Sequence, residues 1–182
     1  AAVSVRQVAG SGVGLPVDEG LEQGVRRPLR SELAPRTDAV RQDYIEFLWD
    51  VEQQYFEEMY RFIREDLGAK SVVAGTQVPW SPPSIQARLD YVDAHAYWNH
   101  PAFPGKSWDS RDWYVLNTSM VNAQGGTLTN LAGTRVAGKP YVISEYNHPA
   151  PITFSSEAFL LLSAYGAFQD WDGIVAFAWS HD

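Results

Sequence analysis

Four short apolar runs, each closing on polar or aromatic residues, set the tightest limit on how this chain can fold. They lie at residues 71–77, 91–98, 141–148 and 173–180. Each is rich in Val, Ile, Ala or aromatic residues and reads as a buried strand. Between them the apolar spacing changes to three and four. Val40, Tyr44, Phe47, Leu48, Val51, Tyr55, Met59, Phe62 and Ile63 mark a long amphipathic helix that starts at Thr37-Asp38 and ends near Leu67-Gly68. Shorter helices are predicted over 85–89 and 128–136, and an apolar one over 155–169. Strands alternating with helices argue for parallel βαβ units in an α/β fold.

Two segments fall outside this alternation. Residues 1–36 carry Gly10, Gly12, Gly14, Gly20 and Gly24 with no sustained period, and read as an irregular N-terminal arm preceding a (β/α)4 domain over 37–182. Residues 99–126 hold Pro101, Pro104, Trp108, Trp113 and Gly125-Gly126, a long loop of the kind that covers active sites.

Composition narrows the possible partners. Fourteen basic residues against 22 acidic give a net charge of −8, which disfavours a nucleic-acid backbone as ligand. The small basic group Arg26, Arg27 and Arg30 is flanked by Glu22 and Glu32. With no cysteine, thiolate metal sites and a Cys nucleophile are excluded. His95, His100, His148 and His181 share no tight ligand spacing, so no metal or other cofactor is expected. No apolar run is long enough to span a bilayer, and no membrane partner is expected.

The polar strand ends carry the chemistry. In a parallel βα barrel, reactive groups sit at the C-terminal ends of strands, where rigid backbone meets variable loops. There Ser144-Glu145-Tyr146-Asn147-His148 brings together a carboxylate, two rings and an amide before Pro149. A carboxylate so placed can attack a sugar carbon. The plainer alternatives are a Glu145 that caps a helix or pairs with an arginine, a His95 satisfied within the core, and a Trp179 that only packs.

These same residues carry a family resemblance. VDAHAYW, KPYVISEYNHP and GIVAFAWS resemble the sixth, seventh and eighth strands of a clan A glycoside hydrolase (β/α)8 barrel of the cellulase type, and VVAGTQ resembles the fifth. The likeness covers roughly residues 37–182. It implies that Glu145 is the nucleophile of a retaining glycosidase acting on β-linked glucan or a related plant polysaccharide. His95 and Tyr97 would line the sugar site and orient the nucleophile. Trp179 would form a platform under the sugar, with Trp98, Tyr146, Asn147 and His148 as further substrate contacts.

The family's acid/base is the Glu of an Asn-Glu pair, and no Asn-Glu dipeptide occurs here. Asp182 and Asp93 are the candidate second carboxylates. Strands one to four have no counterpart, so the expectation is a half-barrel of four βα units completed by self-association as a homodimer or higher oligomer. The competing reading is a carbohydrate-binding or inactive remnant, in which Trp98, Trp179 and Tyr146 still stack on sugar.

Overall fold

The computed structural model describes residues 38–178. The predicted arm over 1–36, Trp179 and Asp182 lie outside the described residues. The chain divides into two compact units, residues 1–55 and 56–182. The described part of the first unit is helical and belongs to α1 (Asp38–Arg61). Its Ile45, Leu48, Val51 and Tyr55 are exposed.

In the second unit, the long helix closes with a π-helical turn, Phe62–Asp66, and Gly68 takes the left-handed conformation (φ 64°) where the chain leaves it. Then follow α2 (Pro83–Gln86), β1 (Val92–Tyr97), α3 (Thr127–Gly133), β2 (Tyr141–Asn147), α4 (Glu157–Phe168) and β3 (Gly173–Ala176). The strands form a parallel sheet in the order β1-β2-β3. The α/β class and the parallel βαβ connections therefore agree with the sequence, but the sheet has three strands among the described residues, not four.

The segment that does not join is 71–77, and its hydrogen bonds say why. The Val73 N–H donates to the Asp90 carboxylate (2.8 Å), and Asp90 N–H returns a bond to Val73 C=O (3.1 Å). The Thr76 N–H donates to the Gln86 side-chain oxygen (2.9 Å), and Gln86 in turn donates to Ser81 Oγ (2.6 Å). Backbone groups that a strand would offer to β1 are thus taken by two side chains. Gly75 makes the detour possible, because a Cβ there would lie 2.2 Å from the Gln86 oxygen. Asp90 also receives Tyr60 Oη (2.7 Å) and Arg64 Nη2 (2.5 Å). Against the desolvation that opposes them, these donors hold its carboxyl below the ordinary aspartate value.

The core lies on one face of the sheet. Val92 and Ala94 of β1 and Tyr141, Ile143 and Tyr146 of β2 cluster with Leu131 of α3 and with Ala158 and Leu162 of α4. Burying each large apolar side chain contributes about 1.5–3 kcal/mol. The Tyr141 hydroxyl donates to the Leu131 carbonyl (2.6 Å), and burial pushes its pKa up to about 12.

One irregularity decides what the other face presents. Strict alternation would put Tyr146 opposite to Tyr141 and Ile143. Instead Ala94 pairs with Ile143 and His95 with Glu145, leaving Ser144 as an extra residue in β2. The bulge returns Tyr146 to the core and swings Glu145 onto the face of Asp93, His95 and Tyr97. Asp93 holds it there, since its carboxylate accepts the Ser144 N–H (3.2 Å).

Candidate active site

Glu145 sits near the C-terminal end of the middle strand, directly across from His95 in the register. Its Oε1 accepts the Tyr97 hydroxyl, and its Oε2 faces Gln77 Nε2 at 3.4 Å. Gln77 is fixed in turn by the Ser144 hydroxyl, which donates to its side-chain oxygen (2.7 Å). Because that oxygen is engaged, the amide nitrogen is turned to the carboxylate. Burial first, and then the hydrogen bond and charge of Glu145, raise the Tyr97 pKa, so its hydroxyl remains a donor across the working range of pH. A carboxylate gripped at both oxygens by neutral donors keeps one fixed orientation, which a nucleophile requires.

Beside it opens a cleft of about 360 Å³, lined by Gln77, Asp93, His95, Tyr97, His100 and Asn130 among others. Glu145 does not itself line this cleft, but two of its lining residues, Gln77 and Tyr97, hold the Glu145 carboxylate. The size falls within the usual range for small-molecule sites, and Asp93 is the one carboxylate among the lining residues. The His95 Nδ1 is buried without a hydrogen-bond partner among the described residues, as are His148 Nδ1 and Trp171 Nε1.

The other expected contacts are placed differently. Tyr146 is fully buried, and its hydroxyl meets His148 Nε2 (3.1 Å) and Met120 Sδ (3.5 Å). His148 is itself only 4 % exposed. Neither ring has a face free for a sugar, because the bulge turned Tyr146 inward and His148 packs against it; both are corrected to core residues. Trp98 donates its indole N–H to Thr118 C=O (2.9 Å) and packs near His148. Asn147 Oδ1 accepts the His148 N–H, and its Nδ2 faces Ala178 C=O at 3.4 Å. Asp93 shares the face of Glu145 but is engaged with the Ser144 backbone. Gln77 closes the run at 71–77, which by composition reads as a strand and carries no candidate role; with no strand formed there, the fold alone brings it to Glu145. Among the described residues no cluster of His, Asp or Glu is arranged to hold a metal ion.

His148 gives the core a pH dependence. Burial lowers its pKa below 6.5, against the opposing pull of the Phe154 backbone and the Glu157 carboxylate. The unfolded chain therefore takes up the proton more readily than the folded one. This contribution to stability is complete above 6.5 and is lost as the pH falls below it. Thermal unfolding followed across that interval should show a falling Tm, and His148→Gln should flatten the slope there. A slope unchanged in the variant would refute the assignment.

Comparison of the chain with family models, with curated proteins and with solved structures gave no match.

Proposed function

We propose that this chain carries the nucleophile half of a glycoside hydrolase acting on β-linked glucan or a related plant polysaccharide. The observation that supports the reading best is the Glu145 carboxylate, clamped by Tyr97 and Gln77 near a strand's C-terminal end, on the sheet face opposite the core. In retaining hydrolysis such a carboxylate attacks the anomeric carbon and forms a covalent glycosyl ester while an acid protonates the leaving oxygen. Water, deprotonated by that same group, then releases the sugar. Turnover of aryl β-glycosides, compared between the native chain and Glu145→Gln, tests the assignment.

The second carboxylate is the open element. Asp93 and Glu145 are the two acids on the described strands. Asp93 lies two residues deeper than His95, roughly 6.6 Å along the strand, and serves the bulge. The acid would then come from Asp182 or from a second copy. Engagement of Asp93 with the backbone also favours one alternative, a carbohydrate-binding domain without chemistry. Calorimetry with cello-oligosaccharides that gives binding with no turnover would select it.

The same reading makes the sheet part of a barrel. Val175 of β3, on the face of Glu145, is 52 % exposed, and Phe177 just beyond the strand is 46 % exposed. Apolar groups on an open sheet face favour association, and the proposed occupant is a second copy related by a two-fold axis. Light scattering across a concentration series should give the mass of a dimer. A monomer at every concentration would remove this part of the proposal.

A further inference from the structure

The loop over 99–126 displays one residue in a way that calls for a reason. An isolated antiparallel bridge, Ala102 with Tyr114, pinches off the excursion between them, and Trp108 stands near its tip. There Asp109 N–H donates to Lys106 C=O (3.2 Å), closing a turn whose third residue is Trp108 with φ 64°. That position ordinarily takes glycine, and a bulky side chain in the left-handed region is strained. Yet the side chain packed at this cost is 76 % exposed.

The excursion is held firmly. A second turn follows, with Asp112 N–H bonded to Asp109 C=O (3.1 Å), and the Asp109 carboxylate accepts the Arg111 N–H (3.0 Å). Farther along, Glu157 at the start of α4 accepts from Ser119 Oγ and Met120 N–H, both at 2.7 Å. Asn99 Nδ2 reaches Leu116 C=O and Thr118 Oγ1, each at 2.8 Å.

The exposed ring is linked to the candidate active site. Trp108 packs on Phe103, with centroids 5.2 Å apart, and meets His100 edge-on at 6.3 Å. His100 meets Tyr97 edge-on at 5.5 Å, and Tyr97 holds Glu145. The last two ring separations together bound the distance from Trp108 to Tyr97.

We propose that Trp108, backed by Phe103 and His100, is a stacking platform for a pyranose unit of a β-linked oligosaccharide whose other end reaches Tyr97 and Glu145. A rigidly presented indole offers a flat apolar face, which is what the axial C–H face of a β-linked sugar needs. The immediate surroundings argue against a protein partner. Lys106, Asp109, Arg111 and Asp112 all lie within four residues of Trp108 along the chain, whereas protein interfaces are depleted of charge at their centres. The net charge of −8 argues against a nucleic-acid strand, which would also stack on an indole. The inference rests on the glycosidase reading for its ligand class and adds to it that the substrate is a chain several sugars long.

Trp108→Gly is the informative variant, because glycine suits the backbone there and should leave Tm equal or higher. Calorimetric titration with cellohexaose is the readout, with Trp108→Tyr as the conservative partner. Trp108→Gly should weaken binding at least about tenfold, the scale of an aromatic anchor, while Trp108→Tyr retains most of it. Turnover of a short aryl glycoside, which cannot span the rings, should not change in Trp108→Gly. Unchanged cellohexaose affinity in Trp108→Gly, with aryl glycoside turnover intact, would overturn the platform and leave the nucleophile assignment standing. A platform that binds cellohexaose in a chain without turnover would do the reverse. No cellohexaose binding to the native chain would overturn the platform, and so would a change of oligomeric mass in place of sugar affinity.

Discussion

Glu145→Gln should abolish turnover of aryl β-glycosides, by on the order of 10⁴-fold or more, as removal of a covalent nucleophile does elsewhere. The substitution keeps the size of the side chain. Its amide oxygen can still accept the Tyr97 hydroxyl, while its amide nitrogen gives up the 3.4 Å contact with Gln77, so the local fold should survive at a small cost in Tm. What disappears is the negative charge that, in the proposed mechanism, forms the bond to the anomeric carbon. Adding azide to Glu145→Ala sharpens the test: a small anion in the emptied space can attack the same carbon and restore part of the rate. Full activity in both variants would remove Glu145 from the chemistry, whatever its placement.

Tyr146→Ala should lower unfolding stability by about 3–5 kcal/mol, the range for deleting a large buried aromatic. Tyr146 is fully buried and packs edge-on against Phe159 of α4, with centroids 6.3 Å apart. Its loss would open a cavity where β2 meets that helix. Total stability of a domain this size is about 5–15 kcal/mol, so the variant should melt far earlier or fail to accumulate. Tyr146→Phe separates packing from polarity. It keeps the ring and removes only the hydroxyl shared with His148 and Met120, at a cost of about 1–2 kcal/mol. If Tyr146 instead served the substrate, both variants would lose sugar affinity and keep their Tm.

Much of the architecture could be read from residue order alone. The runs ending at Tyr97 and Asn147 became β1 and β2, bounded by Pro101 and Pro140, and the apolar stretch at 157–168 became α4, being too long for a buried strand. The run at 71–77 has the same composition but not the same fate. Its donors meet Asp90 and Gln86, and side chains distant in sequence are invisible to a local pattern. The site divides in the same way. Glu145, His95 and Tyr97 were legible as strand-end residues. The resemblance places Tyr146 and His148 against the sugar, whereas the structure buries both, the bulge setting Tyr146 on the core face. Nothing in the sequence announces that Ser144 is the residue the ladder skips.

That skipped residue also says something about which changes this chain can absorb over evolutionary time. A strand keeps a two-beat count, and Ser144 is an off-beat that swaps the beat for everything after it. Ser144 could be exchanged for another residue with the count intact, because the bond that fixes it to Asp93 comes from its main chain. Loss of Ser144 itself would leave Ile143, Glu145 and Tyr146 in plain alternation, so the tyrosine would stay inward and the carboxylate would still face His95. What would go is the bond to Asp93, whose carboxylate also lines the cleft. Along this strand, the face a side chain takes is inherited more strictly than the count that puts it there.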